Sequence, residues 1–282
     1  MKIAISVEST ADLSKELLEQ FDVSVVPYHI TVGDNTFKDG QISTKELFEI
    51  VDKNGVLPKT NALNVFEYTE YFEGLLKDYQ AVVHFSLSSG FSSSCQNAIN
   101  ASKELKNVFV VDSKSLSTGI GLLAIYARQL ADKGETPEQI AKKASARIDN
   151  LQVSFVIERL DYLYKGGRCS ALSFFGANLL KIRPKIMVKD GKMGPDKKYR
   201  GAMEKVVSKY CADTLQECNN PDLSMAFVTY TTATPEMIEC AKQALMGAGF
   251  KNIYETQAGG TVASHCGANT LGILYFNDGN QN

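Results

Sequence analysis

The densest group of side chains that could bind a ligand is a run of hydroxyls at residues 86–94, Ser-Leu-Ser-Ser-Gly-Phe-Ser-Ser-Ser. It follows an apolar segment at residues 81–85 that is typical of a buried strand, and it leads into a helical pattern over residues 95–105. A turn between a strand end and a helix start offers unpaired N–H groups and a favourable dipole to an anion. The run predicts an anion cradle, although a serine-rich helix cap without a ligand fits equally well. It lacks the lysine and glycine spacing of a P-loop, so nucleotide binding is weakly supported.

Two other segments could hold an anion on residue type alone. Arg168 follows Gly166 and Gly167, which permit close backbone approaches, and its forked guanidinium suits a carboxylate or a phosphate. A helix C-cap followed by a solvated arginine explains the same residues as well. The polar stretch at residues 57–62, Leu-Pro-Lys-Thr-Asn-Ala, is most simply an ordinary turn before a helix.

His265 is the histidine that invites a functional role, because it lies in a predicted loop bracketed by glycines at residues 259–267. His29 and His84 lie within strand-like runs, which favours structural roles. The sequence has no His-x-x-x-His spacing and no Cys-x-x-Cys pair, so no metal site is expected and the six cysteines are interpreted as reduced thiols. A serine hydrolase would need a Gly-x-Ser-x-Gly elbow, which is absent.

The elements that must position these side chains alternate between strand and helix in the first half of the chain. Short apolar runs at residues 3–7, 23–26, 81–85 and 108–111 predict buried strands. Asn64 and Thr136 are each followed three places later by a glutamate or glutamine, and this spacing predicts that a helix starts at each of them. This order favours a mainly parallel sheet flanked by helices.

The second half changes style near residue 152. An Asp-Gly pair within residues 186–193 predicts a hairpin, and further apolar runs at residues 225–230 and 271–276 supply strands for a second, mixed sheet. Helices are expected at about residues 202–217 and 235–246. We therefore predict an α/β protein of two lobes, with an N-terminal domain at residues 1–150, a C-terminal domain at residues 151–282 and a ligand between them.

Composition excludes several classes of partner. A formal charge of −2 and a pI near 6.0 give no basic footprint, so nucleic acid is an unexpected partner. The short apolar run at the N-terminus predicts no signal peptide, and no run of roughly 20 apolar residues predicts a membrane span. We expect a cytoplasmic protein without stable membrane insertion.

Taken in order, these segments resemble the DegV family of bacterial fatty-acid-binding proteins. The resemblance spans essentially the whole chain, and each of its motifs is weak alone. It is carried by Ser-Val-Glu-Ser-Thr-Ala-Asp-Leu at residues 6–13, Phe-Lys-Asp-Gly at residues 37–40, the stretch around Thr60, the hydroxyl run with its continuation to residue 98, residues 160–168 ending in Gly-Gly-Arg, and His265-x-Gly.

The resemblance implies a long-chain fatty acid as the ligand and no cofactor. Its carboxylate would be bound by Thr60 and Ser92, with Asn61 and Ser93 beside them and Arg168 and His265 close by. The resemblance also implies a non-catalytic carrier that presents the carboxylate to a separate ATP-binding fatty acid kinase, which forms an acyl phosphate for phospholipid synthesis.

Several positions depart from the family pattern. The usual early aspartate is Glu8, a serine-glutamine pair is replaced at residues 61–62, a glycine is replaced by Ser93, and a Pro-Gly pair is replaced by Ala268 and Asn269. Most of these changes keep polarity or small size near the expected head group, whereas Ala62 does not.

The predicted tail pocket rests on composition and position in the second half. Its candidate residues are Phe174, Phe175, Leu179, Leu180, Ile186 and Met187. Two alternatives stay open. One is a stand-alone enzyme acting on a small anionic substrate, with Ser92 as nucleophile or His265 as general base. The other is an interaction protein with an empty cleft.

Overall fold

The computed structural model describes residues 1–169 and 182–279. The strands are β1 Ile3–Glu8, β2 Val23–Val26, β3 His29–Val32, β4 Asn35–Lys38, β5 Lys59–Asn61, β6 Ala81–Ser86, β7 Val108–Asp112, β8 Leu151–Val156, β9 Arg183–Lys189, β10 Lys192–Tyr199, β11 Ala226–Tyr230, β12 Ile253–Gln257 and β13 Leu271–Phe276. The helices are α1 Lys15–Gln20, α2 Thr44–Asn54, α3 Val65–Leu76, α4 Ser94–Ser102, α5 Thr118–Asp132, α6 Pro137–Ala146, α7 Asp161–Lys165, α8 Met203–Glu217, α9 Pro235–Gly247 and α10 Gly260–Cys266.

Two larger sheets confirm the predicted α/β class. The first has the order β2-β1-β6-β7, and all of its pairs are parallel. The second has the order β10-β9-β8-β13-β11-β12 and is mixed. Strand β11 pairs in parallel with β12, and all other neighbouring strands of this sheet pair antiparallel. The second sheet takes its strands from residue 151 onward, and we call the parts before and after this point the N-terminal and C-terminal halves. The division into two domains at residue 150 stays a prediction.

A hydrophobic core runs across both halves. Helix α5 is buried along most of its length and packs against strands of both sheets, β1 and β6 on one side and β8 and β13 on the other. The same core cluster includes Ile5 and Phe85 from the first sheet and Val153 and Phe227 from the second. The apolar helix thus fixes the position of one sheet relative to the other.

Local sequence signals explain several element boundaries. Asn64 and Thr136 each form a capping box at the start of α3 and α6, as their spacing predicts. The tip of the β9–β10 hairpin is formed by Asp190 and Gly191, both with positive φ, which is the backbone that an Asp-Gly turn favours.

Two short segments differ from the sequence-based expectation. Residues 59–61, predicted as a turn, form β5, which joins β3 and β4 in a small antiparallel sheet of order β4-β3-β5. Residues 260–266, predicted as part of a glycine-bracketed loop, form α10. Both predictions are wrong because distant partners stabilise these segments, and neither segment is long enough to show a sustained periodic pattern.

Among residues 1–169 and 182–279, none of the helices combines the length and the apolar character that crossing a bilayer requires.

Candidate functional site

A cavity of about 310 Å³ lies between the two halves, and we call it the central cavity. Its walls come from the β3–β5 region and the residue 86–94 loop of the N-terminal half, and from α10 and β10 of the C-terminal half. The lining residues are Thr10, Tyr28, Thr60, Ala62, Leu87, Phe91, Ser92, Ser93, Leu116, Arg168, Met193, Thr261, Val262, His265 and Cys266. The volume is at the lower end of roughly 300–1,000 Å³ that is usual for ligand pockets.

Thr60 and His265 form a direct pair in the central cavity. The Thr60 Oγ1 atom lies 2.8 Å from Nε2 of His265, although the two residues are 205 positions apart in the chain. Burial, with a smaller contribution from the positive charge of Arg168, lowers the pKa of His265 to about 4. The imidazole is therefore neutral near pH 7.

The surroundings of the imidazole favour one tautomer. Nδ1 is buried and has no hydrogen-bond partner among the described residues, and it lies against Gly166, where an added Cβ would be 2.6 Å away. A neutral imidazole carries one N–H, and an unpaired buried donor is rarer in proteins than an unpaired acceptor. We therefore assign the proton to Nε2, which donates to Thr60 and leaves the threonine O–H free to donate into the cavity.

Ser92 forms a second polar group on the cavity wall. Its Oγ atom accepts hydrogen bonds from the Ser94 N–H at 3.2 Å and from the Tyr28 O–H at 3.5 Å. Tyr28 precedes β3, and Ile30, two residues on, pairs with Thr60 in β5. Because residues two apart in an extended segment share a face, the tyrosine connects Ser92 to the side of the sheet that carries Thr60.

Ser93 lines the same cavity as an exposed residue and occupies the N-cap position of α4, without a side-chain capping hydrogen bond. Its φ of −75° requires no glycine at this position.

Burial raises the pKa of the Tyr28 phenol far above its usual range, with a further contribution from the negative charge of Glu8. The phenol is therefore a permanent hydrogen-bond donor beside Ser92.

Arg168 and Asn61 are placed differently from each other. Arg168 lines the cavity and is exposed to solvent. Its Nη1 donates to the carbonyl of Gly166 at 2.7 Å, which holds the guanidinium on the side of the cavity that His265 lines. The Asn61 side chain does not line the central cavity and instead donates to Thr31 at 3.4 Å. Successive strand residues point to opposite faces, so Thr60 and Asn61 are not brought together.

Two carboxylates of the N-terminal half hold the start of α10. Asp39 accepts hydrogen bonds from the backbone N–H groups of Gly260 at 2.8 Å and Thr261 at 3.2 Å. Asp12 accepts from the N–H of Gly259 at 2.8 Å. Burial raises the pKa of Asp12, and the hydrogen bonds from Ser117 and Gly259 oppose this rise. These contacts position the helix that carries His265.

Glu8 lies in a buried polar cluster beneath the cavity wall. Its carboxylate accepts from Tyr68 at 2.5 Å, from Ser86 at 2.6 Å and from the backbone N–H of Leu87 at 2.6 Å. Burial alone would raise the pKa of Glu8, but His84 and the two hydroxyls outweigh this effect and lower it. Since Leu87 lines the cavity, the glutamate fixes the first turn of the hydroxyl-rich loop.

A single family model matches nearly the whole chain. The model described as "Uncharacterised protein, DegV family" matches residues 2–278. This chain belongs to the DegV family. The resemblance of its motifs is thereby confirmed.

Similar DegV proteins carry names that describe their ligand. A protein of Thermotoga maritima named "Fatty acid-binding protein" is 33% identical over 224 residues, which cover 76% of this chain and 78% of that protein. The crystal structure of DegV, described as a fatty acid binding protein from Bacillus subtilis, has a TM-score of 0.87 at 27% identity and covers 98% of this chain and 99% of that one. A stearic acid-binding protein from Eubacterium ventriosum has a TM-score of 0.82 at 26% identity, covering 98% of both chains.

The structure shows how two residues that depart from the DegV pattern fit their surroundings. Asn269, at a position where the family has glycine, adopts φ 54°, a backbone that asparagine tolerates better than most residues. Its side chain donates to Glu158 at 2.6 Å. Ala62, in place of a polar family residue, lines the central cavity and adds a methyl group to its wall.

The predicted tail residues are only partly within the described chain. Phe174, Phe175, Leu179 and Leu180 lie outside the described residues. Ile186 is fully buried in a core cluster against which Val262 and Met193 of the cavity wall pack. Met187 lies next along β9 and lines a different cavity, together with Val153 and Lys189. Neither side chain lines the central cavity, so their role in tail binding stays a prediction.

The apolar wall residues of this DegV protein were missed by sequence reasoning. They include Leu87, Leu116, Met193, Val262 and Cys266. Val262 and Cys266 are four residues apart, one helical turn, and this spacing was the available signal. The prediction of a loop over residues 259–267 conceals this signal.

The site offers few groups for catalysis. Among the described residues, Ser92 has no hydrogen bond to a histidine or a carboxylate, and His265 pairs with Thr60 instead. A histidine whose pKa is about 4 is also a weak proton acceptor near pH 7. The described part of the chain contains no group of three or more His, Cys, Asp or Glu residues that could hold a metal ion.

Proposed function

We propose that this DegV protein binds a long-chain fatty acid in the central cavity and presents its carboxylate to a separate ATP-dependent fatty acid kinase. The observation that carries the proposal is the composition of the cavity. Its apolar wall residues come from both halves, and its hydrogen-bond donors include a neutral histidine–threonine pair.

The acyl chain supplies most of the binding free energy in this proposal. Each buried CH₂ group contributes roughly 0.8 kcal/mol, so a chain of about sixteen carbons gives on the order of 10 kcal/mol before entropy costs. The apolar walls formed by Phe91, Leu116, Met193 and Val262 provide the surface for such a chain. The head group then needs hydrogen bonds that offset its desolvation.

The carboxylate is bound by donors from both halves. Thr60 donates through the hydroxyl proton that the His265 tautomer leaves free, and Ser92 donates from the opposite loop. Arg168 adds a positive charge at the exposed side of the cavity. Hydrogen bonds of this kind, made to a charged group, typically contribute about 1.5–3 kcal/mol each.

The carrier role is supported by the chemistry that the site lacks and by the relatives. Among the described residues no nucleophile–base pair faces the cavity, and similar DegV proteins are named for fatty acid binding. In the proposed reaction the kinase transfers the γ-phosphoryl group of ATP to a carboxylate oxygen, ADP leaves, and an acyl phosphate forms for phospholipid synthesis. The carrier itself turns over no substrate.

The first test is extraction of the purified protein under denaturing conditions, followed by mass spectrometry. We expect close to one fatty acid per chain, either retained from the host or taken up after delipidation and exposure to fatty acid. Protein that neither carries nor takes up fatty acid contradicts the binding proposal.

A second test separates binding from presentation. The loaded protein is incubated with ATP alone and with ATP plus a fatty acid kinase, and acyl phosphate is trapped with hydroxylamine. We expect hydroxamate only in the sample with kinase. Product formed without kinase contradicts the carrier role, and no product in either sample contradicts presentation while leaving binding intact.

A further inference from the structure

A small second cavity, which we call the rear chamber, adjoins the central cavity. It has a volume of about 30 Å³ and shares three lining residues with the central cavity, Leu116, Val262 and Cys266. Its other walls include Phe155 and Leu274 of the second sheet. The shared residues are therefore the partition between the two spaces.

The rear chamber is apolar even though serine and threonine line part of it. The Thr231 hydroxyl donates to the carbonyl of Gly267 at 2.6 Å, and the Thr270 hydroxyl donates to the carbonyl of Cys266 at 3.0 Å. The Thr229 hydroxyl lies 2.7 Å from that of Thr118.

The hydroxyl of Ser117, another lining residue, donates to Asp12 at 2.6 Å. With their hydroxyls engaged in this way, the lining side chains have their polar atoms already paired. A bound water needs two to four polar partners, so this space suits a hydrocarbon better than water.

The partition is built from two elements. Val262 and Cys266 lie one turn apart on α10, and Leu116 comes from the segment before α5. Val262 is only partly buried, whereas Leu116 and Cys266 are 7% and 4% exposed and belong to core clusters. The valine side chain is thus the part of the partition that can be shortened with least damage to the core.

We propose that Val262, with Leu116 and Cys266, sets the longest acyl chain that the protein accepts, by closing the central cavity against the rear chamber. This inference rests on the proposed function, since it assigns the terminal methyl group of a bound fatty acid to the partition. Removing the valine methyl groups joins the two spaces and admits a longer chain.

The test measures dissociation constants of the delipidated protein for saturated acids from tetradecanoic to eicosanoic acid. The variants are Val262→Ala, which opens the partition, and Val262→Ala combined with Ala258→Val, which refills the rear chamber that Ala258 lines. Val228→Ala is the matched control, because Val228 is fully buried in a different core cluster. Thermal unfolding verifies that each variant is folded.

We expect Val262→Ala to move the preferred chain length upward by one or two carbons. Each added methylene that the parent protein cannot accommodate should bind the variant about fourfold more tightly, as 0.8 kcal/mol per CH₂ implies. The double variant and Val228→Ala should keep the parent preference.

The outcomes separate the two proposals. If the parent protein binds none of the acids, the proposed function fails. If the parent binds them and Val262→Ala keeps the same chain-length preference, the partition is refuted and the proposed function stands. An upward shift that survives in the double variant also refutes the role of the rear chamber.

Discussion

At the scale of single residues, the hydrogen bond between Thr60 and His265 is the main determinant of the proposed head-group site. It joins a strand of the N-terminal half to a helix of the C-terminal half at a distance of 2.8 Å. The histidine is neutral and its remaining nitrogen is enclosed by Gly166, so its position is fixed by packing. The threonine hydroxyl is thereby oriented before any ligand binds.

Thr60→Val should weaken fatty acid binding by about 10- to 100-fold, because it removes the donor to the carboxylate and retains the shape of the side chain. Asn61→Ala is the matched comparison, since Asn61 faces Thr31 rather than the cavity and should keep the parent affinity. Titration with a fluorescent fatty acid measures both. An equal loss in both variants would restore the binding role that the sequence predicts for Asn61.

The depressed pKa of His265 predicts a pH dependence of stability. The unfolded chain binds a proton at His265 below a pKa near 6.5, whereas the folded protein does so only near pH 4. The unfolded state therefore holds more protons in this window, and stability falls as the pH drops through it. The histidine should account for about 2–3 kcal/mol of that loss.

The measurement is urea unfolding of the ligand-free parent and of His265→Gln between pH 8 and pH 4. The glutamine variant should show a smaller decrease in the free energy of unfolding over this range. Parallel pH profiles for the two proteins would contradict the depressed pKa.

At the scale of elements, α10 depends on carboxylates that lie far away in the chain. Asp39 binds two N–H groups at its start and also accepts from the Ser9 hydroxyl at 2.9 Å. Ser9 in turn accepts from the backbone N–H of Tyr28 at 3.1 Å. The motifs at residues 6–13 and 37–40 therefore support the helix and the strand that carry the site.

Asp39→Ala should lower the free energy of unfolding by about 1–3 kcal/mol, because it leaves buried donors of α10 unpaired. It should also weaken fatty acid binding, since the helix carries both His265 and Val262. Asp34→Ala is the control, as Asp34 is exposed in the turn before β4. Denaturant unfolding and ligand titration test both effects, and a variant with parent stability would show that α10 holds its place without Asp39.

At the scale of the whole molecule, the tip of the β9–β10 hairpin docks on the hydroxyl-rich loop of the other half. The buried Ser88 hydroxyl donates to the carbonyl of Gly191 at 2.8 Å, and Gly90 is so close that an added Cβ would lie 2.3 Å from the same oxygen. Met193, two residues beyond the tip, lines the central cavity. The contact therefore ties a wall of the cavity to the loop that carries Ser92.

Ser88→Ala should destabilise the protein by about 1 kcal/mol, because the buried Gly191 carbonyl loses its partner. We also expect faster release of bound fatty acid, since the two halves separate more easily at this contact. Transfer of a fluorescent fatty acid to lipid vesicles in stopped-flow experiments measures the rate. Ser89→Ala, which alters an exposed neighbour bonded to Asp112, is the control. Equal release rates would contradict a role of the hairpin tip in retaining ligand.

Features that depend on local rules can be predicted from the amino-acid sequence. The parallel strands of the first sheet, the capped starts of α3 and α6, and the Asp-Gly hairpin follow from hydrophobic runs and from cap and turn residues. The motifs, taken in their order along the chain, were enough to predict the family. They also indicated Thr60, Ser92, Arg168 and His265, all of which line one cavity.

Which side chains face that cavity depends on tertiary contacts. Strand β5 and helix α10 are too short to show a sustained periodic pattern, so their form comes from β3 and from Asp39 in distant parts of the chain. Asn61 points away from the cavity because successive residues of its strand face opposite sides. Val262 faces the cavity because it lies one helical turn from Cys266, on the same face of α10. Such choices rest on contacts between residues more than two hundred positions apart, which no local pattern encodes.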